Sequence, residues 1–271
     1  MTRVIAFVGG GNMARSLIGG LRAQAGELSI RVAEPNEPAR EALAREFDVA
    51  CFANNADAVP GADVVVLAVK PQVMRDVCRA LAPLAQSQRT LWVSIAAGIR
   101  MRQLNAWLGG NHAIVRAMPN TPALIGAGIT GLVANAIADQ SQRALAESIL
   151  RGAGETVWID REELMDAVTA VSGSGPAYFL LLMEALERAA IEQGLPASAA
   201  RALVLQTALG AARMAVASDQ SPGSLRQRVT SPGGTTAAAI GKFEAGGFDA
   251  LVSSAVAAAT RRGVELADEF S

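Results

Sequence analysis

The sequence predicts an α/β fold: an N-terminal doubly wound sheet with helices on both faces, followed by an all-α C-terminal domain. Two observations support this prediction. Short apolar runs alternate with helical patterns through roughly the first 160 residues, which is typical of a parallel sheet. From there the chain reads as helical and rich in alanine. We therefore predict two domains, residues 1–160 and residues 161–271.

The first strand and helix enclose a glycine-rich turn. Residues 4–8 form an apolar run suited to a buried strand, and Gly9-x-Gly11-x-x-Ala14 follows before a helical pattern. In this spacing Gly9 allows a tight turn, Gly11 lets backbone amides reach a pyrophosphate, and the small Ala14 lets the helix lie close to the strand. Glycine-rich turns also occur for purely structural reasons. The position between strand and helix favours a Rossmann-like dinucleotide site.

The remaining elements follow in chain order. Further strands are predicted at residues 29–33, 49–52, 62–69, 91–95, 114–118, 130–134 and 155–159, and helices at 13–21, 37–47, 73–82 and 140–152. The C-terminal helices are predicted at residues 164–193, interrupted at 172–176, and then at 197–217, 224–229, 235–244 and 248–268. Several of these helices carry few charges, and a helix that is apolar nearly all round must be buried. A homodimer or larger assembly is therefore expected.

Two charged residues follow predicted strands. Glu34 ends the second strand, where an acidic residue binds the ribose hydroxyl of NAD and repels the 2′-phosphate of NADP. The alternative is that Glu34 is a turn residue before Pro35, and both interpretations stay open. Lys70 precedes Pro71 after the most strand-like run in the chain, which places it at the carboxyl edge of the sheet, where ligands bind in such folds.

A second anion site is indicated at residues 230–236. Ser231 can cap the helix that follows, and the amides of Gly234, Thr235 and Thr236 would point out of its N-terminus. An ordinary capped helix is the alternative. With one anion site at the nucleotide end and one in the helical domain, a small anionic substrate is expected.

The composition excludes several classes of function. The net charge is −1 and 18% of residues are charged, so no electrostatic footprint for nucleic acid or an anionic membrane is present. The two cysteines have no metal spacing, and we predict no metal site. The N-terminus lacks the pattern of a signal peptide, so a cytoplasmic protein is expected. The single histidine, His112, is predicted to be a surface residue.

No Ser-His-Asp set or other strong catalytic constellation is apparent in the sequence. Hydride transfer needs chiefly a cofactor and alignment of the reactants. A substrate that is already an iminium needs no strong acid to make it electrophilic, whereas a carbonyl reductase would normally use a placed acid. The sequence is therefore compatible with an imine reductase.

Five motifs, taken in order, resemble those of pyrroline-5-carboxylate reductases, and the resemblance covers essentially the whole chain. They are Phe-Val-Gly-Gly-Gly-Asn-Met-Ala at 7–14, Ala-Val-Lys-Pro at 68–71, Arg-Ala-Met-Pro-Asn-Thr-Pro at 116–122, Asp-Ala-Val-Thr-Ala-Val-Ser-Gly-Ser-Gly-Pro-Ala-Tyr at 166–178 and Thr-Ser-Pro-Gly-Gly-Thr-Thr at 230–236. The resemblance implies reduction of 1-pyrroline-5-carboxylate, a cyclic imine, to L-proline by hydride from NADPH or NADH, the last step of proline synthesis. It also implies a helical dimerisation domain, with dimers that associate into a ring such as a decamer.

The resemblance implies specific site residues. The cofactor would contact Gly10, Asn12, Met13, Asn55, Val69, Lys70 and Ala97, in addition to Gly9, Gly11 and Glu34 of the fingerprint. Ser231, Gly234, Thr235 and Thr236 would hold the substrate, with Thr236 as the proton donor or hydrogen-bond partner, and Glu162 would also reach the substrate. Many members carry a serine or another small polar residue where this chain has Glu34. We therefore predict that NADH is accepted at least comparably to NADPH.

Two other interpretations were weighed. A β-hydroxyacid dehydrogenase shares the fingerprint and a helical second domain, but its catalytic lysine stands four residues after a glycine turn, where this chain has Phe179. The second interpretation is a nucleotide sensor that binds NAD(P) without turnover. The sensor has no need of the anion site at 230–236, and turnover would discriminate the two.

Overall fold

The computed structural model describes residues 2–23 and 28–270. Eight strands form one sheet in the order β3-β2-β1-β4-β5-β6-β7-β8. The strands are β1 (Arg3–Val8), β2 (Leu28–Ala33), β3 (Ala50–Phe52), β4 (Val64–Leu67), β5 (Leu91–Ser94), β6 (Ala113–Met118), β7 (Gly128–Ala134) and β8 (Gly154–Trp158). The predicted Rossmann-like sheet with a helical C-terminal part is confirmed.

Twelve α-helices are present in the described residues. They are α1 (Asn12–Ala23), α2 (Glu37–Phe47), α3 (Asn55–Ala58), α4 (Pro71–Ser87), α5 (Met101–Trp107), α6 (Gln140–Leu150), α7 (Met165–Val168), α8 (Gly175–Glu192), α9 (Ala197–Val216), α10 (Pro222–Arg228), α11 (Thr235–Ala245) and α12 (Phe248–Glu269). A π-helical turn, Thr169–Gly173, joins α7 to the start of α8. Within the described residues, no helix is long and apolar enough to cross a membrane.

The strands from β3 to β6 are parallel, and β7 reverses the direction. β6 and β7 pair antiparallel, with Ala117 opposite Leu132, and β8 then runs parallel to β7. Residues 119–127, which hold only a short 3₁₀ turn, separate β6 from β7. A parallel crossover needs roughly a dozen residues or more, usually with a helix, so the short connection forces the reversal.

Both faces of the sheet are buried. Along β1, Ile5 and Phe7 enter one apolar cluster, while Ala6 and Val8 enter the cluster on the other face. This alternation on one strand shows that helices cover both faces, which is why the strands read as continuous apolar runs. A rigid sheet results, and its carboxyl edge carries the loops that follow the parallel strands.

The described residues form two compact units. The first comprises the described residues up to Ser174 together with those from Ala258 onwards, and the second comprises Gly175–Ala257. Helix α12 therefore begins in the second unit and ends in the first. The predicted boundary of functional domains at residue 160 stays a prediction.

Candidate functional site

The glycine turn after β1 is shaped by close backbone packing. Gly9 has φ +101° and donates its N–H to the carbonyl of Ala33 at 2.9 Å. A Cβ on Gly9 would lie 2.7 Å from the carbonyl oxygen of Ala68, so a larger residue fits neither the space nor the backbone conformation. The turn thus lies between β2 and the end of β4, where the strand order reverses and nucleotides bind in such sheets.

The N-terminus of α1 leaves room beside the turn. A Cβ placed on Gly11 would have no neighbour within 4 Å, and the carbonyl of Gly11 accepts from Arg15 N at 3.0 Å in the first turn of α1. Asn12 begins the helix, Met13 packs against the core, and Ala14 is fully buried. Open space at a helix N-terminus suits a pyrophosphate, so the described residues fit a dinucleotide.

Glu34 is folded onto the glycine turn. Its Oε2 accepts from the N–H of Gly10 and its Oε1 accepts from the N–H of Asn36, each at 3.0 Å. The side chain of Arg40 donates to the carbonyl oxygens of Glu34 and Pro35 at 2.9 and 2.7 Å. Glu34 is therefore a turn residue whose carboxylate lies against the glycine turn.

The other predicted cofactor residues follow neighbouring strands at the same edge. Asn55 begins α3 after β3, Val69 and Lys70 follow β4, and Ala97 follows β5. Lys70 is exposed, and its ammonium group makes no hydrogen bond or ion pair with any residue that the structure describes. Ala97 and Val69 are half-buried. The sheet thus collects residues that are up to 88 positions apart in sequence (from Gly9 to Ala97) along one edge.

The predicted substrate loop lies at the start of α11 in the second unit. Gly234 is the N-cap residue, with an extended backbone, and its N–H donates to the carbonyl of Ser231 at 3.0 Å. The expectation that Ser231 caps this helix is wrong, because Gly234 occupies the N-cap position. Thr235 and Thr236 are exposed in its first turn. The uncapped amides and the two hydroxyls are available to an anion.

Glu162 lies in the first unit, against a buried arginine. Its Oε1 accepts from the N–H of Met101 at 2.6 Å and from Nη1 of Arg116 at 3.3 Å. The other guanidinium nitrogen, Nη2, lies 3.7 Å from Oδ1 of Asp166, and the Arg116 side chain is 3% exposed. Glu162 therefore joins α5 to β6. Together with Arg116 and Asp166 it forms an ion cluster that the sequence did not predict. Its predicted contact with substrate stays a prediction.

His112 is not the surface residue that the sequence suggested. It is buried, its Nε2 lies 3.0 Å from the carbonyl of Leu108 and 3.1 Å from Nε2 of Gln86, and its ring meets Trp92 edge-on. The loop before β6 folds over the amino edge of the sheet, and this burial could not be read from the local Gly-Gly-Asn-His sequence. A cavity of about 490 Å³ at this edge, lined in part by Gln86 and His112, lies away from the predicted cofactor residues.

The cysteines and acidic groups offer no further reactive centre. Burial raises the pKa of the Cys78 thiol to about 12, so a thiolate nucleophile is excluded there at neutral pH. Within residues 2–23 and 28–270, no group of three or more His, Cys, Asp or Glu side chains could hold a metal ion.

Two family models match the chain. Residues 162–266 match the pyrroline-5-carboxylate reductase dimerisation model, and residues 4–98 match the model of NADP oxidoreductase, coenzyme F420-dependent. The pyrroline-5-carboxylate reductase of Pseudomonas aeruginosa is 53% identical over 98% of this chain and 97% of its own length. The chain belongs to the pyrroline-5-carboxylate reductase family. The dimerisation model supports homo-oligomerisation.

Other members of the pyrroline-5-carboxylate reductase family extend the match. The Haemophilus influenzae reductase is 44% identical over 99% of both chains. The structure of the Coxiella burnetii reductase superposes with a TM-score of 0.94 at 44% identity, covering 98% of this chain and 99% of that one. The Plasmodium falciparum reductase, solved with NADP bound, gives a TM-score of 0.84 at 29% identity over 98% of both chains.

Proposed function

We propose that this protein reduces 1-pyrroline-5-carboxylate to L-proline with NADPH or NADH, the last step of proline biosynthesis. The observation that carries the proposal is the full-length relation to pyrroline-5-carboxylate reductases, from the glycine turn to α12. In this proposal the carboxyl edge of the sheet would bind the dinucleotide, and the start of α11 would bind the small anionic substrate.

The residues of the first unit would hold the cofactor. The turn at Gly9–Gly11 and the first turn of α1 would bind the pyrophosphate, and Glu34 would face the adenosine ribose. Lys70 lies at this edge and makes no hydrogen bond or ion pair with a described residue, which suits contact with a phosphate or a ribose. When bound, the reduced nicotinamide supplies the hydride for the C=N carbon.

The residues at the start of α11 would hold the substrate. The amides of Thr235 and Thr236 would donate to the carboxylate, with Gly234 and the Ser231 hydroxyl beside them, because a helix N-terminus favours an anion. Thr236 would donate a hydrogen bond or a proton to the ring nitrogen, which gains a proton as the C=N bond is reduced. Glu162 is proposed as a further substrate contact.

We propose a homodimer that associates into a larger ring such as a decamer, acting in the cytoplasm on a small anionic cyclic imine without nucleic acid or membrane as a partner. The apolar residues of α8 that are exposed in the single chain, including Phe179 and Leu181, support the dimer.

Steady-state kinetics of threonine variants test the proposal. Oxidation of NADPH or NADH should depend on 1-pyrroline-5-carboxylate and yield proline. Thr236→Ala should lower kcat by roughly 10²-fold, as expected for loss of a general acid or its hydrogen bond. Thr230→Ala is the matched control, because the Thr230 hydroxyl already donates to the carbonyl of Arg226. Equal kcat in the wild type and Thr236→Ala would remove Thr236 from the reaction.

A further inference from the structure

Asn120 stands at an N-cap position, but its side chain makes its hydrogen bonds elsewhere. It precedes the 3₁₀ turn Thr121–Ile125, but its side chain does not cap that turn. Instead, its Nδ2 donates to the carbonyl of Ser172 at 3.1 Å, and its Oδ1 accepts from the N–H of Ile129 at 3.0 Å. Asn120 is 8% exposed, so both halves of a buried amide are used on distant parts of the chain.

The carbonyl of Ser172 needs this donor because of a proline. In a helix, the carbonyl of residue 172 accepts from the N–H of residue 176, and residue 176 is Pro, which has no N–H. The chain around it is a π-helical turn in which Ser174 N donates to the carbonyl of Thr169 at 2.8 Å. The amide of Asn120 thus takes the place of the hydrogen bond that Pro176 cannot make.

The same turn is packed tightly on the end of β6. A Cβ on Gly173 would lie 2.6 Å from Cε of Met118, which immediately precedes the Pro119-Asn120 pair. The π-helical turn and the carboxyl end of β6 are therefore held together by one close contact and one hydrogen bond. Isolated π-helical turns of this kind occur frequently at functional sites.

The turn stands where the chain leaves the first unit. The first unit extends to Ser174, and the second begins at Gly175. The proposed cofactor residues, from Gly9 to Ala97, all precede the turn, whereas Ser231 to Thr236 all follow it in the second unit. The proposed reaction uses residues from both sides of this turn. If the turn lost its fixed conformation, kcat should therefore fall.

We infer that Asn120 is a positioning residue for the reaction: it supplies the hydrogen bond that Pro176 withholds and so fixes the turn that connects the two units. This inference rests on the proposed function. It assigns to Asn120 no contact with cofactor or substrate. Its role is exerted through Ser172, so it should appear in turnover and not in binding of the cofactor to the free enzyme.

Asn120→Asp in the full-length protein is the test. Aspartate keeps the shape and the acceptor for Ile129, but it places a carboxylate oxygen against the Ser172 carbonyl. We expect kcat to fall by about 10-fold or more, because the partly buried carbonyl of Ser172 loses its donor. The dissociation constant of NADPH, measured by its fluorescence, should change by less than about 2-fold.

A second substitution makes the test specific. Pro176→Ala supplies an N–H four residues after Ser172, the position that donates to this carbonyl in an α-helix. Asn120→Asp should therefore lower kcat much less when Pro176→Ala is already present. Asn135→Asp is the matched control: the Asn135 amide donates to the carbonyl of His112 at 2.8 Å at the opposite edge of the sheet. That variant should lower stability and leave kcat unchanged.

Activity of the wild-type protein distinguishes a failure of the proposed function from a failure of the role inferred for Asn120. If the wild-type protein does not turn over 1-pyrroline-5-carboxylate, the proposed function falls and the inference falls with it. If the wild type is active, the inference alone is overturned by any of three results: unchanged kcat in Asn120→Asp, loss of NADPH binding together with kcat, or an equal fall in kcat with and without Pro176→Ala.

Discussion

The carboxylate of Glu34 is fixed by the backbone N–H groups of Gly10 and Asn36, one on each oxygen. Gly10 belongs to the glycine turn, so the negative charge is tied to the element that would hold the pyrophosphate. In a Rossmann-like site, an acid here hydrogen-bonds the ribose hydroxyl of NADH and repels the 2′-phosphate of NADPH. At the residue scale, we therefore propose that Glu34 influences the choice between NADH and NADPH.

Glu34→Ser should shift the cofactor preference towards NADPH. Removing the carboxylate removes the repulsion of a 2′-phosphate, so the ratio of kcat/KM for NADPH to that for NADH should rise by roughly 10-fold or more. Glu37→Ser is the matched control, because Glu37 is exposed in the first turn of α2, three residues away. An unchanged ratio in Glu34→Ser would show that Glu34 is only a turn residue.

At the scale of elements, α1 lies unusually close to the chain after α6. A Cβ on Gly20 of α1 would stand 1.6 Å from the carbonyl oxygen of Gly152, and backbone atoms there cannot move aside as a side chain can. At neighbouring Gly19, the nearest atom is a ring carbon of Phe47 at 3.2 Å. The N-terminus of α1 forms part of the proposed pyrophosphate site. The close packing of α1 against Gly152 therefore depends on Gly20.

Gly20→Ala should destabilise the protein, although a Gly-to-Ala change inside a helix normally stabilises by about 0.5–1 kcal/mol. The overlap forces α1 away from Gly152, and we expect a loss of about 2–4 kcal/mol in the free energy of unfolding, as in overpacked cores. Urea unfolding of Gly20→Ala, with Gly19→Ala as the control, measures this loss in the free energy of unfolding. Equal stability of the two variants would contradict the close approach.

The Arg116 cluster gives a second prediction at the scale of elements. Glu162→Gln leaves the acceptor for Met101 N–H but removes the charge beside the guanidinium of Arg116, which is 3% exposed. Because Asp166 remains as a second partner, we expect a loss of about 1–3 kcal/mol in stability. Exposed Glu163 provides the control variant Glu163→Gln.

The same pair of variants tests whether Glu162 reaches the substrate. A purely structural Glu162 leaves the KM for the imine unchanged in Glu162→Gln, whereas the predicted substrate contact raises it. Stability equal to that of Glu163→Gln would show that the ion cluster contributes nothing to the fold.

The sequence predicted those elements whose signals are local. Helix α2 begins at Glu37 and ends at Phe47 as predicted, because Asn36 caps its start, with Oδ1 accepting from Ala39 N, and Asp48 ends it in a left-handed conformation. The strands were recognised by their apolar runs. Helix α5 was missed, because its seven residues carry too short a pattern to reveal a buried face.

Features that depend on distant residues were not predicted from the sequence. The reversal of β7, the ion cluster around Arg116 and the burial of His112 each involve groups brought together only by the fold. The predicted long helix at 164–193 is divided by the π-helical turn, and its interruption at 172–176 was recognised from glycine and proline. The hydrogen bond from Asn120 to the carbonyl of Ser172 joins residues that are 52 positions apart, so local sequence patterns do not predict it.

At the scale of the whole molecule, the second unit buries little of its own surface. Within residues 175–257, all of which the structure describes, only Gly175 and Ala200 are buried in the single chain. Exposed apolar residues along α8 and α9 include Phe179, Leu181 and Leu203. Such a surface indicates an interface, in agreement with the dimerisation model that matches this region.

Leu181→Arg should shift the protein towards the monomer. Leu181 is 62% exposed in the single chain, and a charge buried at an apolar interface is strongly unfavourable. Sedimentation velocity should show a smaller species, with activity falling in parallel. Ile125→Arg is the control, because Ile125 is 82% exposed in the first unit. An unchanged sedimentation coefficient for Leu181→Arg would exclude this face of α8 from the interface.

Isotope transfer tests directly whether hydride passes from the reduced cofactor to the C=N carbon of the imine. The purified protein is incubated with 1-pyrroline-5-carboxylate and NADPH or NADH deuterated at the transferred position, and the product is analysed by mass spectrometry. We predict proline that carries one deuterium on the carbon of the former C=N bond. Cofactor oxidation without labelled proline, or no oxidation by the folded protein, would contradict the account.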